Sequence, residues 1–199
     1  MIDLPTEWHE GSKEFAQWLH TLPDDERQRI ISIMSLHKYF AWADQMRRVL
    51  VKLPEEEPFA QLIRPLENSS LTEMESGKLA VLTTTALPYM PYLYGGLYVV
   101  VEGWKELGLS DPRIDELLKS PLVELLRRYR NGSFHYQKDF FDNRFVEFLV
   151  TADSEKWIRK LRDELSRWFL DFLDSVRVRA GVNPLRNKYR GETNRGPHA

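Results

Sequence analysis

The chain has 199 residues, 28 Lys plus Arg against 30 Asp plus Glu, five His and no Cys, and 42% of it is hydrophobic. A chain of this size buries a sizeable core without staples, and the lack of cysteine excludes a disulfide framework, a thiolate nucleophile and Cys-ligated zinc. A net charge of -2 excludes a uniformly basic surface, so any affinity for nucleic acid has to reside in a local patch.

The first residues, Met1-Ile2-Asp3-Leu4-Pro5-Thr6-Glu7, have neither a basic stretch nor an apolar one, which predicts no secretion signal and a cytoplasmic protein. Asp24 and Asp25 after Pro23 put negative charge in the first turn of a long helix that runs to about Leu53, where Pro54 and three glutamates stop it. Within it Ile30, Ile33, Met34, His37, Phe40 and Ala41 recur at spacings of three and four and predict one apolar stripe, with His37 a core or interface histidine. A weaker segment follows around Phe59 to Leu66. Helices from about Thr72 to Ala86 and from about Pro91 to Leu107 come next, the second closed by Gly108.

Between Lys78 and Glu102 lie 23 uncharged residues, enough by length to span a bilayer. Three threonines, Pro88, Pro91, Gly95 and Gly96 within the run suit two buried helices meeting at a bend, so no membrane span is expected. Tyr98 to Val101 is the only β-like run and has no partner strand. Ser110-Asp111-Pro112 and Ser120-Pro121 each read as a helix start. The last patterned segment starts at Asp153 or Ser154 and puts Trp157, Leu161, Leu165, Trp168, Phe169, Phe172 and Val176 on one face. The expectation is an all-α, multi-helix bundle of seven or eight helices with an additional long N-terminal helix. Residues 1–180 form one domain, and 181–199, with a net charge of +3, a basic flexible tail.

The histidines form no i, i+4 pair and no HExxH pattern, so no metal and no cofactor are expected. One window stands out. From residue 127 to 144 there are five Lys or Arg against two Asp, and Arg127, Arg128, Arg130 and Lys138 alternate with Tyr129, Phe134, Tyr136, Phe140 and Phe141. Cations for phosphate and faces for base stacking coexist there, with Arg127, Arg128, Tyr136 and Lys138 as RNA-binding candidates. The bland alternative is a helix whose aromatics are buried and whose arginines cover the surface.

Arg130-Asn131-Gly132-Ser133-Phe134-His135 resembles the R-x4-6-H motif of the HEPN superfamily, all-helical domains that include many metal-independent ribonucleases. The run from Tyr94-Gly95-Gly96-Leu97-Tyr98 through Glu102-Gly103-Trp104 to that motif is similar to uncharacterised bacterial members, and the resemblance covers about residues 70 to 178. It implies an endoribonuclease with Arg130 and His135 catalytic, Asn131 in support, RNA as substrate, and a homodimer that assembles the site from one motif per chain. The setting it implies is a toxin or defence system or RNA turnover, with an antitoxin or other protein partner in the first case. Toxins of the superfamily regulated by a nucleotidyltransferase usually carry tyrosine two residues beyond the histidine; Gln137 stands there, with Tyr136 adjacent, which speaks against that regulation.

The chemistry agrees on independent grounds. RNA cleavage without metal needs a group that moves a proton at the 2′-OH or the leaving 5′-oxygen, and a cation that stabilises the phosphorane-like transition state. Histidine and arginine meet those needs. On an ideal helix their Cα atoms stand about 140° apart, so a shared cleft requires Arg130 to reach around or the turn at Gly132 and Ser133 to loosen. Glu102 closes the uncharged run and is expected to be partly buried beside Arg130. Rival readings stay open: a structural arginine paired to Glu102 or Asp139 with a histidine that caps a helix, a non-catalytic helical module binding RNA, a nucleotide or a protein, or a partner-binding protein with Tyr89 to Trp104 as an exposed patch.

Overall fold

The computed structural model describes residues 6–52, 88–139 and 142–182, with side chains from residue 13 onward. The segments expected around Phe59 to Leu66 and Thr72 to Ala86, the pair Phe140 and Phe141, and the tail beyond Val182 lie outside them. Every regular element among the described residues is helical, making an all-α bundle: α1 Thr6–Thr21, α2 Asp24–Lys52, α3 Met90–Glu106, α4 Pro112–Leu118, α5 Leu122–Phe134, α6 Asn143–Val150 and α7 Ser154–Arg179. Tyr98 to Val101 is the middle of α3. Among the described residues no helix is long and apolar enough to cross a membrane.

The helix ends follow local chemistry. At the end of α3, Gly108 takes φ +56, a conformation glycine adopts without penalty, while Gly108 N–H donates to Lys105 (3.1 Å) and Leu109 N–H to Trp104 (3.0 Å). Asp111 caps α4, accepting from Arg113 N (3.0 Å) and Ile114 N (3.3 Å), with Pro112 in the first turn. Ser120 Oγ accepts from Leu122 N at 3.2 Å, and Asp142 caps α6 through Arg144 N at 2.9 Å.

The chain groups into two compact units, Met1–Met34 with Asp163–Ala199, and Ser35–Arg162. In the first, Ile30, Ile33, Leu165, Phe169 and Val176 are buried, Trp168 and Phe172 stack at 5.6 Å, and Arg179 pairs with Glu26 and covers the Trp18 ring. The apolar stripe of α2 is rotated from the expected one. Leu36 and Ala43 are buried together with Ile30, Ile33 and Phe40, whereas Ala41 is exposed and Met34 and His37 are half-buried. Leu36 has much to gain from burial, and Ala43 is covered where α3 comes close enough that a Cβ at Gly96 would lie 3.1 Å from its own Cβ. Burial holds the His37 pKa below its ordinary value.

The second unit carries the functional window. Trp104, Leu97, Ile114, Leu126, Tyr129 and Phe148 are fully buried, and the aromatic rings of Tyr94, Tyr129, Phe145 and Phe148 meet at centroid distances of 5.1–5.9 Å. Trp104 Nε1 donates to Asp115 Oδ1 (3.2 Å), and Trp157 Nε1 donates to the Leu117 carbonyl (3.1 Å), so both indoles bury their apolar bodies with the polar edge satisfied. Burial, with the Glu155 carboxylate adding to it, pushes the Tyr94 hydroxyl up to about 12. A raised phenol pKa gives stability that is intact below the unfolded value near 10 and is lost as pH rises through the folded one. Stability should therefore fall from pH 10 upward, with Tyr94 contributing about 2 kcal/mol of the loss by pH 12. Denaturant titrations at pH 9 and pH 12 check this, because Tyr94→Phe should shrink the pH-dependent loss.

Candidate functional site

The structure resolves the angular problem of Arg130 and His135 by ending the helix between them. α5 stops at Phe134, and His135 turns out of it with φ -113 and ψ 136, its N–H still donating to the Asn131 carbonyl at 3.2 Å. Gly132 and Ser133 do not loosen the turn. Ser133 Oγ donates to the Tyr129 carbonyl at 2.9 Å, as in a regular helix, and Gly132 is glycine for a packing reason. A Cβ there would lie 2.9 Å from Phe145 N and 3.1 Å from Arg144 C, so α6 can start against α5 only because that side chain is missing. The segment after His135 is tied back to the same place: Gln137 Nε2 donates to the His135 carbonyl (2.7 Å), and Arg144 contacts Gln137 Oε1 while pairing with Asp142 (2.8 Å).

With His135 off the helix, both side chains line one open cavity of about 480 Å³, together with Tyr39, Trp42, Met46, Tyr92 and Phe134. His135, like Phe134, also borders a second cavity of about 390 Å³, between Pro91, Ser133, Tyr136, Asp139 and Asp142. Gly95 and Gly96 form part of the first cavity's lining. A Cβ at Gly95 would sit 2.6 Å from the Phe134 ring, and one at Gly96 3.1 Å from Ala43 Cβ, so these glycines seat Phe134 on α3 and let α3 approach α2.

The expected basic patch is smaller than its composition. Arg127 is engaged by Glu124 at 2.5 Å, and Arg128 by Glu147 at 2.5 Å; the first of these bonds holds the Glu124 carboxyl below its ordinary pKa. Arg130 and Lys138 have no carboxylate partner among the described residues. Half-buried Arg130 instead donates to Asn131 Oδ1 at 3.0 Å, so Asn131 orients the guanidinium. The expectation of a partly buried Glu102 beside Arg130 is corrected: Glu102 is exposed, and no ion pair joins Arg130 to Glu102 or Asp139. α3 buries Leu97, Val100, Val101 and Trp104, and Glu102 lies on its exposed side. Its charge, like that of Glu124, raises the Tyr98 pKa on top of the larger effect of burial. Tyr136 is 91% exposed and Lys138 is exposed, both open to a ligand.

No protein-family model, curated protein or solved structure matches the chain. No group of three or more His, Asp or Glu side chains is placed to hold a metal ion among the described residues. The run from Tyr89 to Trp104 is buried at Met90, Leu93, Leu97, Tyr98, Val100, Val101 and Trp104, with Tyr92 exposed. The sequence reading missed Tyr39, Trp42 and Tyr92 as site residues. The available signal was Trp42, a large aromatic in α2 two residues beyond buried Phe40 and off its apolar stripe.

Proposed function

We propose that this chain is a metal-independent endoribonuclease of the HEPN type, with Arg130 and His135 at a site completed by a second copy of the chain. One observation carries the reading: an arginine without a carboxylate partner among the described residues and an exposed histidine open onto the same cavity. In the step this supports, the 2′-oxygen attacks phosphorus and the bond to the 5′-oxygen breaks. One imidazole takes the 2′-proton, another proton is delivered to the leaving oxygen, and the Arg130 guanidinium stabilises the charge on the non-bridging oxygens. The products are a 2′,3′-cyclic phosphate and a free 5′-hydroxyl. One histidine per chain cannot stand on both sides of the phosphate in a single step, which is why the reading requires a homodimer. Asn131 fixes the guanidinium, and Lys138 and Tyr136 supply charge and a stacking face beyond it. A cytoplasmic setting, and a place in a toxin, defence or RNA-turnover system, belong to the same reading.

The rival is a non-catalytic helical module, favoured by the glutamates that engage Arg127 and Arg128 and shorten any phosphate track. Incubation of the full chain with single-stranded and structured RNAs in excess chelator separates the two. Cleavage leaving 2′,3′-cyclic phosphate ends is expected; intact RNA at all protein concentrations would overturn the ribonuclease in favour of the module.

A further inference from the structure

Phosphate recognition accounts for Arg130 and His135 but not for the rest of the cavity wall. Tyr39 and Trp42 stand edge to face on α2 with ring centroids 5.5 Å apart, and Tyr92 and Phe134 meet edge to face at 5.7 Å where α3 adjoins α5. Trp42 and Tyr92 each keep 58% of their surface exposed. Large aromatics are ordinarily buried, and several left open around one concavity mark a binding surface. Lys38 Nζ lies 4.8 Å from the Tyr39 centroid and 5.2 Å from that of Trp42, adding a cation on that side.

The wall also restricts what can occupy it. Among the described residues its lining, other than His135, belongs to α2, α3 and α5, whose backbone groups are engaged in helical hydrogen bonds and offer an extended peptide no ladder to join. An acyl chain has no planar face to stack on the exposed rings of Trp42 and Tyr92. Aromatic faces over much of the surface with a cation at one end match a planar ring bearing a phosphate, and about 480 Å³ is within the range of small-ligand sites.

We propose that the cavity takes one unpaired nucleobase of a single-stranded RNA, stacked on Trp42 and Tyr92, with its adjoining phosphate against Arg130 and His135. This rests on the reading of the site as RNA-directed and specifies the part of the RNA that it grips. Among the described residues no Asn, Gln, Asp or Glu side chain lines the cavity, and stacking tolerates every base, so any base is accepted. A paired base is refused, because its faces are already stacked and it must be flipped out to enter.

The test uses an uncleavable probe, a 2′-O-methyl RNA hexamer, in three forms: single-stranded, single-stranded with every base removed, and as a perfect duplex. Binding to the full chain is read by anisotropy of the labelled strand. Wild type should bind the base-containing strand about tenfold more tightly than the abasic one. Trp42→Ala should remove that advantage and leave abasic affinity unchanged, Tyr92→Ala should reduce it, and Trp42→Phe should keep it. Equal affinity for the two strands in wild type, or a Trp42→Ala variant that binds as wild type does, overturns the proposal. So does a Trp42→Ala variant that loses self-association in sedimentation while binding the base-containing strand as wild type does, which assigns the cavity to a second copy. Stacking on the uncleavable probe without cleavage of ordinary RNA would remove the ribonuclease reading alone; cleavage with KM unchanged in Trp42→Ala would remove the base site alone.

Discussion

Replacing His135 with alanine should slow RNA cleavage in chelator by between about a hundredfold and ten-thousandfold, the usual range for loss of a general acid or base, and should leave Tm unchanged. The two halves of that expectation have separate causes. His135 is exposed and stands one residue beyond α5, where its backbone, not its ring, is held by Asn131 and Gln137. Alanine keeps those backbone bonds and removes only the imidazole. Arg130→Ala should cost about as much in rate, but Arg130→Lys should recover only part of it. A lysine keeps the charge and loses the planar fork that bonds two phosphate oxygens and reaches Asn131 Oδ1. Initial rates on a single-stranded RNA, with thermal melts of each variant, measure both. A His135→Ala rate equal to that of wild type would remove catalysis from this motif, whatever the RNA does elsewhere on the protein.

Arg127→Ala and Arg128→Ala are the informative contrast. Their guanidinium groups are engaged by Glu124 and Glu147, so their removal takes no free fork from a phosphate and acts on a ligand only through the charge of the vacated glutamate. The two pairs differ in how visible they are from sequence. Glu124 and Arg127 are three residues apart on one helix and face each other by periodicity. Glu147 reaches Arg128 only because α6 packs on α5, a contact that the missing side chain of Gly132 permits.

The same distinction runs through the fold. Boundaries written in local chemistry, such as Pro23-Asp24-Asp25 ahead of α2 or Asp111-Pro112 ahead of α4, coincide with the observed helices within a residue or two. The start of α7 at Ser154 is equally local. α1 and α6 were not legible. α6 has only eight residues, too few for a periodicity to rise above chance, and its Asp142 cap sits among other charged and polar residues. The stripe of α2 was misplaced because a spacing of three or four fits several phases, and tertiary packing chose the one that buries Leu36 and Ala43. The site was half legible. Arg130 and His135 belong to a local motif, whereas Tyr39, Trp42 and Tyr92 join them only through the fold, and the ion pairs that shrink the basic patch are partly tertiary.

The largest loss of stability should come from Tyr129→Ala, and Tyr129→Phe should separate its two contributions. The Tyr129 side chain is fully buried, stacked on Phe145 at 5.1 Å and edge-on to Tyr94 at 5.5 Å, with Phe148 at 5.9 Å. Removing the ring opens a cavity between α3, α5 and α6 at a cost of about 3–5 kcal/mol, a large fraction of the stability of a small protein. The hydroxyl acts in the opposite direction. It has no hydrogen-bond partner among the described residues, and although Ser133 lies close enough to ease ionisation slightly, the Ser133 hydroxyl is already donated to the Tyr129 carbonyl. Burial accordingly drives the Tyr129 pKa far above the ordinary phenol value, the mark of a polar group that the core does not satisfy. Phenylalanine keeps the ring contacts and deletes the unsatisfied oxygen, so it should match or exceed wild type by up to about 1 kcal/mol. Denaturant unfolding of the three proteins at neutral pH decides the matter. A Phe variant destabilised by more than about 1 kcal/mol would mean that the hydroxyl has a partner beyond the described residues, and that the ring contacts alone do not hold α6 against the helix that carries Arg130.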